Sequence, residues 1–203
     1  GTLSGISRYI PEFERRSFGL TEPGKEQTRT NERLDMIVRK PIVGDQNFVP
    51  LGVVSKEYTL VPHSVILRTA AKAIEAADLN PSEVKAELSI TEYGERMALS
   101  LYLPDEFSFD PGDGHALSLR LECFNSVDGS TRFRALMGWF RFVCSNGLII
   151  GVTHSDIRRR HIGNFRLSNI RSVLRSGIEN SENEKKNFEK WQKIEVKSGR
   201  IAQ

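Results

Sequence analysis

"ALSLRLECFNSVDGSTRFRALMGWFRFVC", Ala116 to Cys144, decides how this chain folds. Leu117, Leu119, Leu121 and Cys123 alternate with Ser118, Arg120 and Glu122, the two-residue period of a strand with one apolar face. Asp128-Gly129 then gives a tight hairpin signal, because glycine tolerates the positive φ such turns need. Phe133, Ala135, Met137 and Trp139 resume the pattern on one face, and Phe140, Phe142 and Cys144 share the other. Gly138 stands where the phase changes, which predicts a β-bulge there. Two long strands joined by so short a turn must pair antiparallel.

Working upstream, Met97, Leu99, Leu101 and Leu103 alternate, as do Val84, Ala86, Leu88 and Ile90, with "TEYGER" turning the chain between them. Leu51–Leu60 and Asp35–Gly44 carry further strand signals, bounded by prolines. Ile66, Ala70, Ile74 and Ala77 recur at helical spacing, with Ser64 as the expected N-cap and Asn80-Pro81 as the stop. Downstream, Leu167, Ile170, Leu174 and Ile178 form a second apolar stripe, while Arg171 and Arg175 lie one turn apart on a different face. The expected fold is α+β: an antiparallel meander of about four to six strands, its apolar face covered by helices. Residues 1–33, with two prolines and four glycines, read as an extended arm or linker. Residues 34–180 read as one domain and 181–203 as a charged helical tail.

The totals describe a globular chain: 203 residues, 38% hydrophobic and 27% charged. No apolar run approaches the roughly 20 residues of a membrane span. With only two cysteines, a reducing cytoplasm is the expected location. The net charge of +3 is unevenly spread. From Ser155 onward there are 12 basic against 6 acidic side chains; the other 154 residues hold 17 against 20.

Cys123, Cys144, His154 and His161 are spaced too widely to form the close ligand pairs of a zinc site. Both cysteines fall on strand faces, where cysteine behaves as a small hydrophobe. Asp105, Glu106, Asp110 and Asp113 lack the alternating oxygen ligands of a calcium loop. The glycines of "SNGLIIG" suit a turn and not a phosphate-binding loop, since no strand–glycine–helix context or Walker lysine follows. Neither a catalytic constellation, nor a metal, nor a cofactor is expected.

The basic stretch carries the functional signal. Arg158, Arg159, Arg160, His161, Arg166, Arg171 and Arg175 lie between Ser155 and Ile178, opposed only by Asp156. Arg132, Arg134 and Arg141 on the preceding strand extend it, with aromatic residues interleaved. Arginine grips phosphate with a planar fork and stacks on bases, so the pattern points to a nucleic acid, single-stranded DNA before duplex. The alternatives are an ordinary solvated face and an acidic protein partner, such as a host protein; a homo-oligomer is compatible with each.

"LGVVSKEYTLVPH", "NSVDGSTRFRA", "FRFVCSNGLIIG" and "RRRHIGN", in that order, resemble the phage/plasmid-like proteins grouped as domain-of-unknown-function family 932. The resemblance runs from about Asp35 to Ile178. It implies a gene of mobile elements and no catalytic residues. The order of strands and helices with a basic helical edge also resembles the core of phage single-strand annealing proteins, which implies a non-enzymatic role in annealing or recombination.

Overall fold

The computed structural model describes residues 1–110, 114–142, 149–163 and 167–193. A short helix α1 (Leu3–Ile6) leads into β1 (Phe13–Arg16), β2 (Gly19–Thr21), β3 (Thr28–Thr30), β4 (Leu34–Arg39) and β5 (Val49–Ser55). Helix α2 (His63–Glu75) follows, then β6 (Lys85–Ile90), β7 (Arg96–Tyr102), β8 (Ser108–Phe109), β9 (Leu117–Ser126), β10 (Phe133–Phe142), β11 (Ile149–Arg159) and helix α3 (Ser168–Gln192).

The large sheet has the order β11-β10-β9-β7-β6, every pair antiparallel, with β8 pairing the start of β9 beyond the end of β7. This is the meander that the alternation predicts. Leu99, Leu101, Leu119, Leu121, Cys123, Ala135, Met137 and Trp139 point to one face and are fully buried there. Ile66, Ala70 and Ile74 of α2, with Ile170, Val173 and Leu174 of α3, close over them. Each large side chain so buried contributes about 1.5–3 kcal/mol, which is why the apolar period dictates the layer order. Gly177 lets α3 approach the sheet: a Cβ there would fall 2.7 Å from Met137 Cγ. Among the described residues, the three α-helices feed this inner core and none of them packs on the outer face.

A smaller sheet, β1-β4-β5, has its own core of Phe13, Ile37, Val54, Tyr58 and Val127. It abuts the β9–β10 turn: a Cβ on Gly52 would fall 2.9 Å from the Asp128 carbonyl oxygen.

Four expectations change in detail. Residues 1–33 do not run as an arm: Leu3 and Ile6 enter the main core, and β1 pairs with β4 from Phe13↔Arg39 to Arg16↔Met36. Their partners lie at least twenty residues away, so no local period marks them. The tail is not separate either, because α3 continues to Gln192 and Phe188 packs on Phe109 with ring centroids 5.2 Å apart. Helix α2 starts at His63, with Pro62 in the N-cap position and no side-chain cap, so Ser64 lies inside the first turn. The bulge falls at Met137/Gly138, but its extra residue is His154 on β11; the β9–β10 register runs through without a slip. Phe140 therefore reaches the outer face by plain alternation. The Cys144–Gly147 turn lies outside the described residues.

Candidate nucleic-acid interface

Strand register sorts the outer face into rows. One row, read across five strands, is Arg158, Arg134, Phe124, Ala98 and Ser89. The next is Asp156, Leu136, Glu122, Ser100 and Glu87. At about 4.8 Å between strands, each row spans about 19 Å. The first row is basic and aromatic and lies at the β9–β10 turn end of the sheet. The second is acidic and lies deeper along the strands.

Phe124 is 38% exposed, unusual for a phenyl ring in mid-sheet. It lines a shallow concavity of 490 Å³ together with Arg96, Arg132 and Arg134. Arg96 Nε donates to Ser130 Oγ at 3.1 Å, which ties it to the turn. Arg134 donates twice to Asp156, Nε to Oδ1 at 2.9 Å and Nη2 to Oδ2 at 2.8 Å. Arg158 donates to the same carboxylate at 3.1 Å from Nη2. These bonds, Arg134's first, hold the Asp156 carboxyl below the usual carboxylate range. Asp156 thus spaces two guanidinium groups and half-neutralises them.

Arg132 and Arg160 face a second concavity of 290 Å³ beside Tyr58 and the Gly129–Thr131 backbone. Both are exposed, and neither has a carboxylate partner among the described residues.

Beneath this end of the sheet lies a buried polar chain. His161 Nε2 donates to Asn125 Oδ1 at 2.9 Å. Asn125 Nδ2 donates to the Val61 carbonyl at 2.9 Å and to His63 Nδ1 at 2.9 Å. His63 Nε2 donates to the Gly94 carbonyl at 2.8 Å. Burial pushes the His63 imidazole down to about 4 and lowers that of His161 as well. The chain after β11 is clamped there: Thr59 N–H donates to the His161 carbonyl at 2.8 Å, and Thr59 Oγ1 to the Gly163 carbonyl at 2.9 Å. Arg160, immediately before His161, is thereby held in place.

The residues singled out from sequence separate in space. Arg132, Arg134, Arg158 and Arg160 gather at one end of the sheet. Arg158 and Arg159 end a strand, so the basic edge there is not helical. Arg159 alternates to the opposite face from Arg158. His161 is 4% exposed and turned inward. Arg171 and Arg175 lie exposed on α3, in the helix layer, with Arg175 Nε donating to Glu179 Oε1 at 2.7 Å. Arg166 and the Arg141 side chain lie outside the described residues, as do Cys144 and the His154 side chain. Sequence reading missed Phe124, Arg96 and β11. The β-branched residues Ile149, Ile150, Val152 and Thr153 carry a strand signal for the last, but His154 breaks its period.

Of the two cysteines, Cys123 lies among the described residues. Burial pushes the Cys123 thiol up to about 12, so it carries no thiolate at neutral pH. Among those residues no three His, Cys, Asp or Glu side chains are grouped to hold a metal ion. Glu122, raised by burial and accepting from Ser100 Oγ at 2.5 Å, lies beside Arg120, whose guanidinium stacks 4.2 Å from the Tyr102 ring centroid.

Fold and surface together define an α+β protein whose open sheet presents arginines around an exposed ring. A family model described as a domain of unknown function (DUF932) matches residues 50–203, and the chain belongs to that family. The match takes in β5, the large sheet and both long helices. No solved structure matches the chain. No helix among the described residues is long and apolar enough to cross a membrane.

Proposed function

We propose that this chain is a non-enzymatic nucleic-acid-binding protein of a mobile genetic element, acting in the cytoplasm. It binds single-stranded DNA across the turn end of the open sheet, in an annealing or recombination role. One observation carries the reading: exposed Phe124 stands between Arg96, Arg132 and Arg134. An unpaired base stacks on the ring while the guanidinium groups neutralise the flanking phosphates. A duplex hides its base faces and gains only the phosphate contacts. In the second row the exposed carboxylate of Glu87 repels a polyanion, which favours the first row for the strand. An acidic host-protein surface is the second reading; it uses the arginines but leaves the Phe124 ring without a role.

Fluorescence anisotropy with a labelled single strand of about 30 nucleotides and its duplex, over a salt series, tests this. Single-strand binding that weakens steeply with salt supports it. No binding at low salt sinks it and turns attention to a protein partner.

A further inference from the structure

We infer that the strand's track continues past the arginine cluster into a second station, a base-binding cleft between the N-terminal segment and the β6–β7 turn. This rests on the single-strand reading above. The cleft, of 440 Å³, is lined by Arg8, Tyr9, Arg39 and Tyr93 among others. It adjoins the Phe124 concavity, with which it shares Ile90 and Thr91. That concavity in turn shares Thr131 and Arg132 with the one beside Arg160. Three hollows therefore follow one another along a single end of the molecule, the shape that an extended polymer fits and a small ligand does not need.

The cleft's chemistry suits a base more than a phosphate. Tyr9 is 63% and Tyr93 49% exposed, so two aromatic rings stand at its rim. Glu92 also lines it and opposes a second concentration of anionic charge. Arg39 is only 4% exposed; Nη2 pairs with Asp45, and Nε, fully buried, has no hydrogen-bond partner among the described residues. Arg39 is thus a fixed part of the cleft wall, tied to Asp45, and not a free phosphate ligand. The walls are rigid. Gly94 has φ +83, and a Cβ on it would fall 2.6 Å from Pro11 Cγ, so the turn is closed against the N-terminal segment. Its carbonyl is held by His63, the far end of the buried chain that begins at His161 beside Arg160. One polar network thus fixes both ends of the track.

Oligo-dT of about 6 and about 30 nucleotides, binding to the full chain, separates the stations. The substitutions Tyr93→Ala and Tyr9→Ala, each checked for an unchanged unfolding temperature, are expected to weaken the long strand about 10-fold and leave the short one unaltered. Tyr93→Phe, which keeps the ring, is expected to bind like the parent. Loss of neither strand, or equal loss of both, overturns the second station while the arginine cluster stands. Failure of the parent chain to bind either strand overturns the single-strand reading and this inference with it.

Discussion

Asn125 Nδ2 donates to His63 Nδ1 at 2.9 Å, so the His63 ring must carry its own proton on Nε2, where it meets the Gly94 carbonyl. The amide's second hydrogen goes to Val61 and its oxygen accepts from His161. A side chain from mid-sheet thereby joins the segment before α2, the β6–β7 turn and the segment after β11. Each of these three carries a wall of the track.

Stability should fall with acid through a defined window. His63 is neutral when folded, with its pKa pushed from 6.5 to about 4 by burial. Between those values the unfolded chain binds a proton that the folded chain does not. Folding free energy therefore declines as pH drops from about 6.5 to about 4, by on the order of 3 kcal/mol, and His161 adds in the same direction. Denaturant titrations at several pH values check this; a flat profile over that range would contradict the buried neutral pair.

Phe124→Ala should separate binding from folding. The ring lies on the open face, so its loss should cost little stability, while single-strand affinity should fall by about 1–3 kcal/mol. Anisotropy and thermal unfolding on the same preparation measure both. Duplex affinity should hardly change.

Arg132→Ala with Arg160→Ala should weaken binding to all sequences alike and lower the salt slope by about 2. Arg171→Ala, on the helix layer, should leave both unchanged. The opposite ranking would move the interface to α3.

Asp156→Asn should strengthen binding. The carboxylate now engages both Arg134 and Arg158, and its removal frees two guanidinium groups for phosphate. Affinity for the single strand should rise several-fold, more at low salt than at high. Unchanged affinity would mean that neither arginine meets the strand.

Gly177→Ala should destabilise the fold. The new methyl meets buried Met137, an overpacking cost of about 1–3 kcal/mol that outweighs the ~1 kcal/mol gained in helix propensity. A lowered unfolding midpoint checks it, and Met137→Ala in the same chain should relieve part of the loss.

The meander and its helical cover were legible because their signals are local. Leu117 to Cys123 and Phe133 to Trp139 announce a buried face two residues at a time, and Ile66 to Ile74 every third or fourth. The Asp128-Gly129 turn set their pairing. By contrast, β1 reads from sequence as part of an arm, since four residues with one buried side chain carry no period. Its strand exists only because β4 supplies the hydrogen bonds. In β11 the extra residue His154 shifts every later side chain to the other face and hides the strand.

Arginine abundance was likewise visible in the chain, but its distribution was not. Six arginines between Ser155 and Ile178 read as one basic edge. Folding divides them, because strand alternation sends Arg158 and Arg159 to opposite faces and α3 carries Arg171 and Arg175 into another layer. It also brings Arg96 and Phe124 to Arg132 and Arg134 through pairings with β7 and β10. The sequence by itself determined the central strands and the two long helices, because propensity and apolar period act between near neighbours. Only the tertiary structure decided which charges share a surface, because that depends on strand register and on contacts between residues far apart in the chain.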